Sequence, residues 1–263
     1  MQHSSLFAMQ RLLDIMARLR DPVQGCPWDV QQDFASIAPY TVEEAYEVAE
    51  AIANQDMPAL REELGDLLLQ VVFHAQMAEE AGLFDFTQVA EAIAQKMTER
   101  HPHVFADAAP VDVQAQQSAW EESKAKARAA KHSGALADIP LALPALMRAQ
   151  KMGKRVSRIG FDWPDLQGAR RKLDEELAEF DAADNVVDQM EELGDVLFCV
   201  TNLARHAGLD AEAALRQANH KFTTRWQRME TLAALAGSQI EGQPLSVMEE
   251  WWQQAKREEK NAP

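Results

Sequence analysis

The chain lacks what would tie it to a disulfide framework, a membrane or a polyanion. Only two cysteines, Cys26 and Cys199, occur in 263 residues. They lie in opposite halves and form no close pair, so neither a disulfide scaffold nor a zinc knuckle is indicated. No stretch reaches the ~18 consecutive apolar residues of a membrane span. The N-terminal stretch is broken by Arg11, Asp14, Arg18 and Arg20 and lacks the apolar region of a signal peptide. Basic residues are also few: 26 Lys and Arg face 42 Asp and Glu, for a formal net charge of −16. Such a surface repels phosphate backbones and anionic lipid, so no nucleic-acid and no membrane partner is expected. The expectation is a soluble, cytoplasmic protein. A small anion stays acceptable where a metal bridges it.

Alternating β-branched runs between turn signals are missing too, and helical periodicity dominates, so the fold class is expected to be all-α. What is present in quantity is acid, and it is arranged twice. Glu-Glu-Leu-Gly-Asp occurs at 62–66 and again at 191–195. Upstream stand Glu43, Glu44 and Glu47 in the first half, and Glu175, Glu176 and Glu179 in the second. A duplicated acidic helix pair implies two related tandem domains, 1–134 and 135–263, with the boundary in the Gly, Ser and Pro mixture that follows Lys131.

Each half then reads in the same order. A first amphipathic helix starts after Ser4 or Ser5 and stops near Asp21-Pro22; its counterpart runs through Leu146 to Met152. A Trp-containing loop follows, Gly25-Cys26-Pro27-Trp28-Asp29 or Gly160-Phe161-Asp162-Trp163. The acidic helices are expected at 41–54 and 58–81, and at 165–182 and 184–207. Gly82 and Gly208 are placed to end the longer helix of each pair in the left-handed conformation. A fourth helix carries Lys96 and Arg100 in one half and Lys221 and Arg225 in the other, four apart and on one face. Trp120 and Lys124 are matched by Trp252 and Lys256.

On a helix, Glu176 and Glu179 project together, as do Glu192 and Asp195, and antiparallel packing would bring the pairs face to face. Glu44, Glu47, Glu63 and Asp66 repeat the arrangement. Among these eight acids only Glu176 has a basic partner at helical spacing, Lys172. Unpaired carboxylates at the edge of a core are costly without a cation, and oxygen ligands without His or Cys select Mg²⁺, with Mn²⁺ as a substitute. Asp66 and Asp195, each directly before an apolar run, are expected at that core edge. A solvated acidic helix face is the plain alternative for any single Glu, and Glu44 could instead close a capping box on Thr41. A ferritin-like di-iron site would need Glu-x-x-His, and no His here has a Glu three residues before it. His74 and His206, on largely apolar helices, read as packed side chains.

These residues resemble the MazG family of bacterial nucleoside triphosphate pyrophosphohydrolases over nearly the whole chain. The likeness rests on Glu175-Glu176-Leu177-Ala178-Glu179 with Glu192-Leu193-Gly194-Asp195, on their first-half copies, and on the two Trp loops and His101-Pro102-His103-Val104-Phe105. The resemblance implies four-helix-bundle-like domains of the all-α NTP pyrophosphatase type. It also implies a homodimer and cleavage of nucleoside triphosphates, ribo and deoxy, to monophosphate and pyrophosphate. By correspondence Glu176, Glu179, Glu192 and Asp195 would hold Mg²⁺ and carry catalysis. Lys172, Glu191, Asn219, Lys221, Arg225, Trp252 and Lys256 would contact the nucleotide. The first half keeps the acids Glu44, Glu47, Glu63 and Asp66 as a second metal site, but has Ala94 where the second half has Asn219. Two rival readings are a nucleotide sensor without turnover and a purely structural helical dimer.

Overall fold

Every described element is a helix, and the reason lies in how each helix is started and stopped. The computed structural model describes residues 2–106, 112, 116 and 134–261. Among them eleven helices form: α1 (Gln2–Leu19), α2 (Pro27–Gln31), α3 (Phe34–Ala53), α4 (Met57–Glu80), α5 (Phe86–Arg100), α6 (Pro102–Phe105), α7 (Ala145–Ser157), α8 (Leu166–Ala182), α9 (Val186–His206), α10 (Ala211–Leu235) and α11 (Leu245–Asn261). The chain divides into two compact units, residues 1–120 and 121–263. The stretch between that division and the boundary expected near residue 135 lies outside the described residues, as do Trp120 and Lys124.

Acidic and amide N-caps begin the paired helices. Asp56 accepts from the backbone N–H of Ala59 at the start of α4, and Asn185 accepts from Val187 and Asp188 at the start of α9. At the far ends Gly82 and Gly208 take φ of +66° and +72°, as the sequence pattern requires. The short turns fold α3 back on α4 and α8 back on α9, which are the closest helix pairs of their units.

Two boundaries differ from expectation, the first being α1, which begins at Gln2 rather than after Ser4 or Ser5. The helix expected at 41–54 begins at Phe34, with Pro39 inside it. Asp33 accepts from Ala35 and Ser36 while Ser36 Oγ accepts from the Asp33 N–H, a complete capping box. Pro39 forfeits a single backbone bond near the helix start, a loss the helix tolerates. Thr41 is therefore interior; its Oγ1 lies 3.1 Å from His74 Nε2, and no capping box forms there with Glu44.

The first unit packs Met16 of α1, Ile37 of α3, and Val72, Phe73 and Met77 of α4 into its core. Arg20, only 9% exposed, closes one end: it pairs with Glu80 at 2.7 Å, donates to the carbonyls of Asp29 and Gln32, and lies 5.4 Å over the Phe73 ring. In the second unit Leu173 of α8 meets Val196 and Cys199 of α9, with Phe180 and Leu203 against them. Gln150 fastens α7 to the start of α10, donating to Leu209 O and accepting from the Ala211 N–H.

Candidate functional site

The helix pairs bring the acids together as their spacing predicts, though not with equal burial. In the second unit carboxylate oxygens of Glu176, Glu179 and Glu192 all lie within 4.8 Å of one another; in the first, those of Glu44, Glu63 and Asp66 do so. The two clusters thus draw different triads from the same four positions. Asp195 still acts electrostatically on Glu192, and Glu47 does so on Glu44 and Glu63. The aspartates expected at the core edge, Asp66 and Asp195, are exposed; the buried carboxylate is Glu176, 6% exposed. The reason is register: Glu176 follows Leu173 by one turn on the face of α8 that packs against Val196 and Cys199.

Charge compensation also differs between the units. Lys172 reaches Glu175 at 2.6 Å and Glu176 at 2.8 Å, and its own pKa is raised by those two carboxylates. Its counterpart in the first unit, four residues before Glu44, is Tyr40. Partial burial, then Asp66 and Glu47, push the Glu44 pKa up; burial and Glu47 do the same to Glu63. Glu192 is raised by partial burial and by Glu179, Glu176 and Asp195. Three converging carboxylate oxygens, no His or Cys among them, and little cationic compensation suit a hard divalent cation. The residues present therefore fit such an ion in both units.

Apart from Lys172 on α8, the cations expected to face nucleotide are placed on the other helix pair of the second unit. Arg225 of α10 lies 5.5 Å over the Trp252 ring of α11 and pairs with Glu259 at 2.7 Å. Phe222 packs against Trp252 with ring centroids 5.4 Å apart. Asn219 and Lys221 are exposed on α10, Lys256 is half-buried on α11, and Glu191 is exposed on α9 beside Glu192. The acids are thus organised by α8 and α9, and the basic and aromatic group by α10 and α11.

A further constellation escaped the spacing argument. Asp162, in the Trp loop, receives both arms of Arg205 at 2.8 and 2.5 Å and lies 2.9 Å from His206 Nε2. Arg205 also donates to Asn202 Oδ1 at 3.3 Å. His206 was expected to be merely packed; it belongs to this polar cluster. The available signal was the isolated Asn202 in the apolar run of α9, which periodicity alone reads as core.

An all-α protein of two related helical units, each holding a cluster of carboxylates on an antiparallel helix pair, is the class these features define. Comparison with known proteins narrows it. Residues 32–105 match the family model described as the MazG nucleotide pyrophosphohydrolase domain. The chain is 53% identical to the nucleoside triphosphate pyrophosphohydrolase of Escherichia coli strain K12 over 258 residues, covering 95% of this chain and 98% of that protein. It is 40% identical to the nucleoside triphosphate pyrophosphohydrolase/pyrophosphatase MazG of Thermotoga maritima, covering 94% and 95%. A nucleoside triphosphate pyrophosphohydrolase of Mycobacterium tuberculosis is 31% identical, over 92% of this chain and 67% of its own. The chain belongs to the MazG family.

Proposed function

We infer that the chain is a nucleoside triphosphate pyrophosphohydrolase: water adds to the α phosphorus, the bond from that phosphorus to the α–β bridging oxygen breaks, and monophosphate and pyrophosphate leave. The observation that carries this reading is the convergence of Glu176, Glu179 and Glu192 within 4.8 Å, in a chain so closely related to proteins of that name. An acidic pocket accepts a triphosphate only with a divalent cation, so Mg²⁺, or Mn²⁺ in its place, would be held by Glu176, Glu179, Glu192 and Asp195. The ion would offset charge on the phosphates and lower the pKa of a water.

The protein's own groups supply the rest. Lys172 lies at the edge of the cluster as a fixed positive charge. Glu179 and Glu192 are the carboxylates proposed to accept the proton of the attacking water. Asn219, Lys221, Arg225, Trp252 and Lys256 present donors, cations and an aromatic face to the substrate, and Arg225 would exchange Glu259 for phosphate. In the first unit Glu44, Glu47, Glu63 and Asp66 form a second cation site, weaker in turnover because Ala94 replaces Asn219. The substrate range is broad in base and sugar, and the setting is the cytoplasm. No helix among the described residues is long and apolar enough to cross a membrane.

A homodimer is part of the same reading. Leu64, Leu68 and Val71 form an exposed stripe on α4, and Leu193, Leu197 and Val200 form the same stripe at the matching positions of α9. A repeated apolar stripe beside an acid cluster is what a second copy of the chain would cover. Sedimentation equilibrium at twice the chain mass supports the dimer; a single-chain mass at micromolar protein contradicts it.

The reaction is tested by incubating the protein with Mg²⁺ and mixed ribo- and deoxynucleoside triphosphates and identifying products by phosphorus NMR. Monophosphate with pyrophosphate is the expected result. Diphosphate with orthophosphate, or no product, would remove the assignment.

A further inference from the structure

On the helix that carries Glu192 and Asp195, the second unit encloses a cavity of about 440 Å³. Its walls are mostly apolar: Met152 and Val156 from α7, Phe198 from α9, Phe161 and Trp163 from the loop, and Leu136. The Leu136 segment is tied down by Arg155, which donates to the carbonyls of Ala135 and Ala137 at 3.3 and 2.7 Å. Polar groups in the lining are few: Asn202, 3% exposed, and the Asp162–Arg205 pair. Apolar concavity with a few convergent polar groups is the general form of a small-molecule site.

The chemistry of the lining limits the occupant. Asn202 Oδ1 is engaged by Arg205 Nε and Nη2 at 3.3 and 3.2 Å, which turns the amide nitrogen the other way. That nitrogen makes one long contact, 3.5 Å to Phe198 O, so one of its two hydrogens remains for an acceptor. Phe161 belongs to the cavity wall yet is 76% exposed, a flat apolar face available for stacking. A flat heterocycle with acceptors on its edge meets both conditions.

Position along α9 identifies that heterocycle. Phe198 and Asn202 follow Asp195 by three and seven residues, so the cavity starts about one turn beyond the acids and extends to about 10 Å from them. The span from α phosphate to base in a nucleotide is of that order. The first unit provides an internal contrast. Seven residues after Asp66 stands Phe73, 3% exposed in its core and beneath Arg20. One position therefore holds a core ring in the first unit and a cavity-lining amide in the second.

We propose that this cavity holds the base of a nucleoside triphosphate whose phosphates lie at the acids of the second unit, with the base stacked on Phe161 and an edge acceptor receiving the Asn202 amide. The proposal rests on the pyrophosphohydrolase reading above. Phe161 and Asn202 are then base-contacting residues, and the base subsite belongs to the second unit.

The test is calorimetric titration of the full chain with the α,β-imido analogues of nucleoside triphosphates and Mg²⁺, in a Glu63→Gln background that leaves only the second cluster intact. Phe161→Ala should weaken analogue binding about tenfold, the scale of one lost base stack. Val156→Trp, which fills the cavity, should weaken it at least as much. Both should bind Mn²⁺ alone like the background chain. Because the Phe161 ring is exposed, its loss has no structural reason to alter binding, and the variant keeps the test decisive should Val156→Trp fail to fold. Unchanged analogue affinity in Phe161→Ala, together with loss in Glu192→Gln, overturns the base site and leaves the reaction standing. Failure of the unsubstituted chain to release pyrophosphate from a nucleoside triphosphate with Mg²⁺ overturns the reaction itself.

Discussion

Arg205 grips Asp162 with both arms across forty-three residues of sequence, at 2.8 and 2.5 Å, and so pins the Trp loop to the end of α9. The Arg205 guanidinium, outweighing partial burial, and His206 hold the Asp162 carboxyl down at about 2, from an ordinary 3.8. A carboxyl lowered on folding contributes stability that is complete above its unfolded value and fades as pH falls toward the folded one. Asp162→Asn should therefore cost about 2 kcal/mol at pH 7, and that gap should narrow between pH 4 and pH 2. Urea unfolding at pH 7 and pH 3 measures it; a gap that widens in acid contradicts the pairing.

Glu192 sits where partial burial and three neighbouring acids oppose its charge. Replacing it with Gln should abolish Mg²⁺-dependent turnover yet raise the melting temperature in EDTA by a few degrees, since a repelled charge is removed. The stabilisation conferred by added Mg²⁺ should shrink in parallel. A lower melting temperature without metal would mean that Glu192 is structural.

Arg20 closes the first unit through Glu80, two backbone carbonyls and the face of Phe73. Truncation in Arg20→Ala leaves those carbonyls without their donor and should cost about 2–4 kcal/mol. Denaturant unfolding followed by fluorescence provides the measurement. A change under half a kilocalorie would place the pair among ordinary surface contacts.

Gly153 lies in the middle of α7, where alanine would normally be preferred by about 1 kcal/mol. Here an added Cβ would come 2.5 Å from Asn202 Oδ1. Gly153→Ala should destabilise by about 1–3 kcal/mol, because the amide must move and its contact with Arg205 suffers. Thermal melts decide the sign, and a stabilised variant would show that α7 and α9 have room to separate.

The helices and the acid clusters were legible because both are local. Amphipathic spacing, N-cap residues and glycine stops placed α4, α8 and α9 within a residue or two. The start of α3 was placed seven residues late: the Asp33 cap secures the first turn, and Pro39, six residues past that cap, forfeits only one backbone bond. Lys172 was read as a nucleotide contact from the resemblance and as a partner of Glu176 from spacing; the structure shows the second contact at 2.8 Å. Asp162, Arg205 and Arg20 were invisible as a group because their pairings span 43 or 60 residues, and no helical period connects them. The cavity was hidden for a related reason. It exists where Gly153 and Asn202 meet across two helices, and neither residue announces an empty space in one dimension.

Each unit carries a single thiol, and the two differ in cover. Cys199 is buried between Leu173 and Val196, with its pKa pushed up to about 11, first by burial and then by Glu176. Cys26 is only partly covered, in the loop after α1. At neutral pH a thiol reagent meets a reactive Cys199 only when α8 and α9 part. The chain thus contains a stopwatch in the core of its second unit and a separate one at the rim of its first, so the breathing of the two halves can be timed independently without introducing a label.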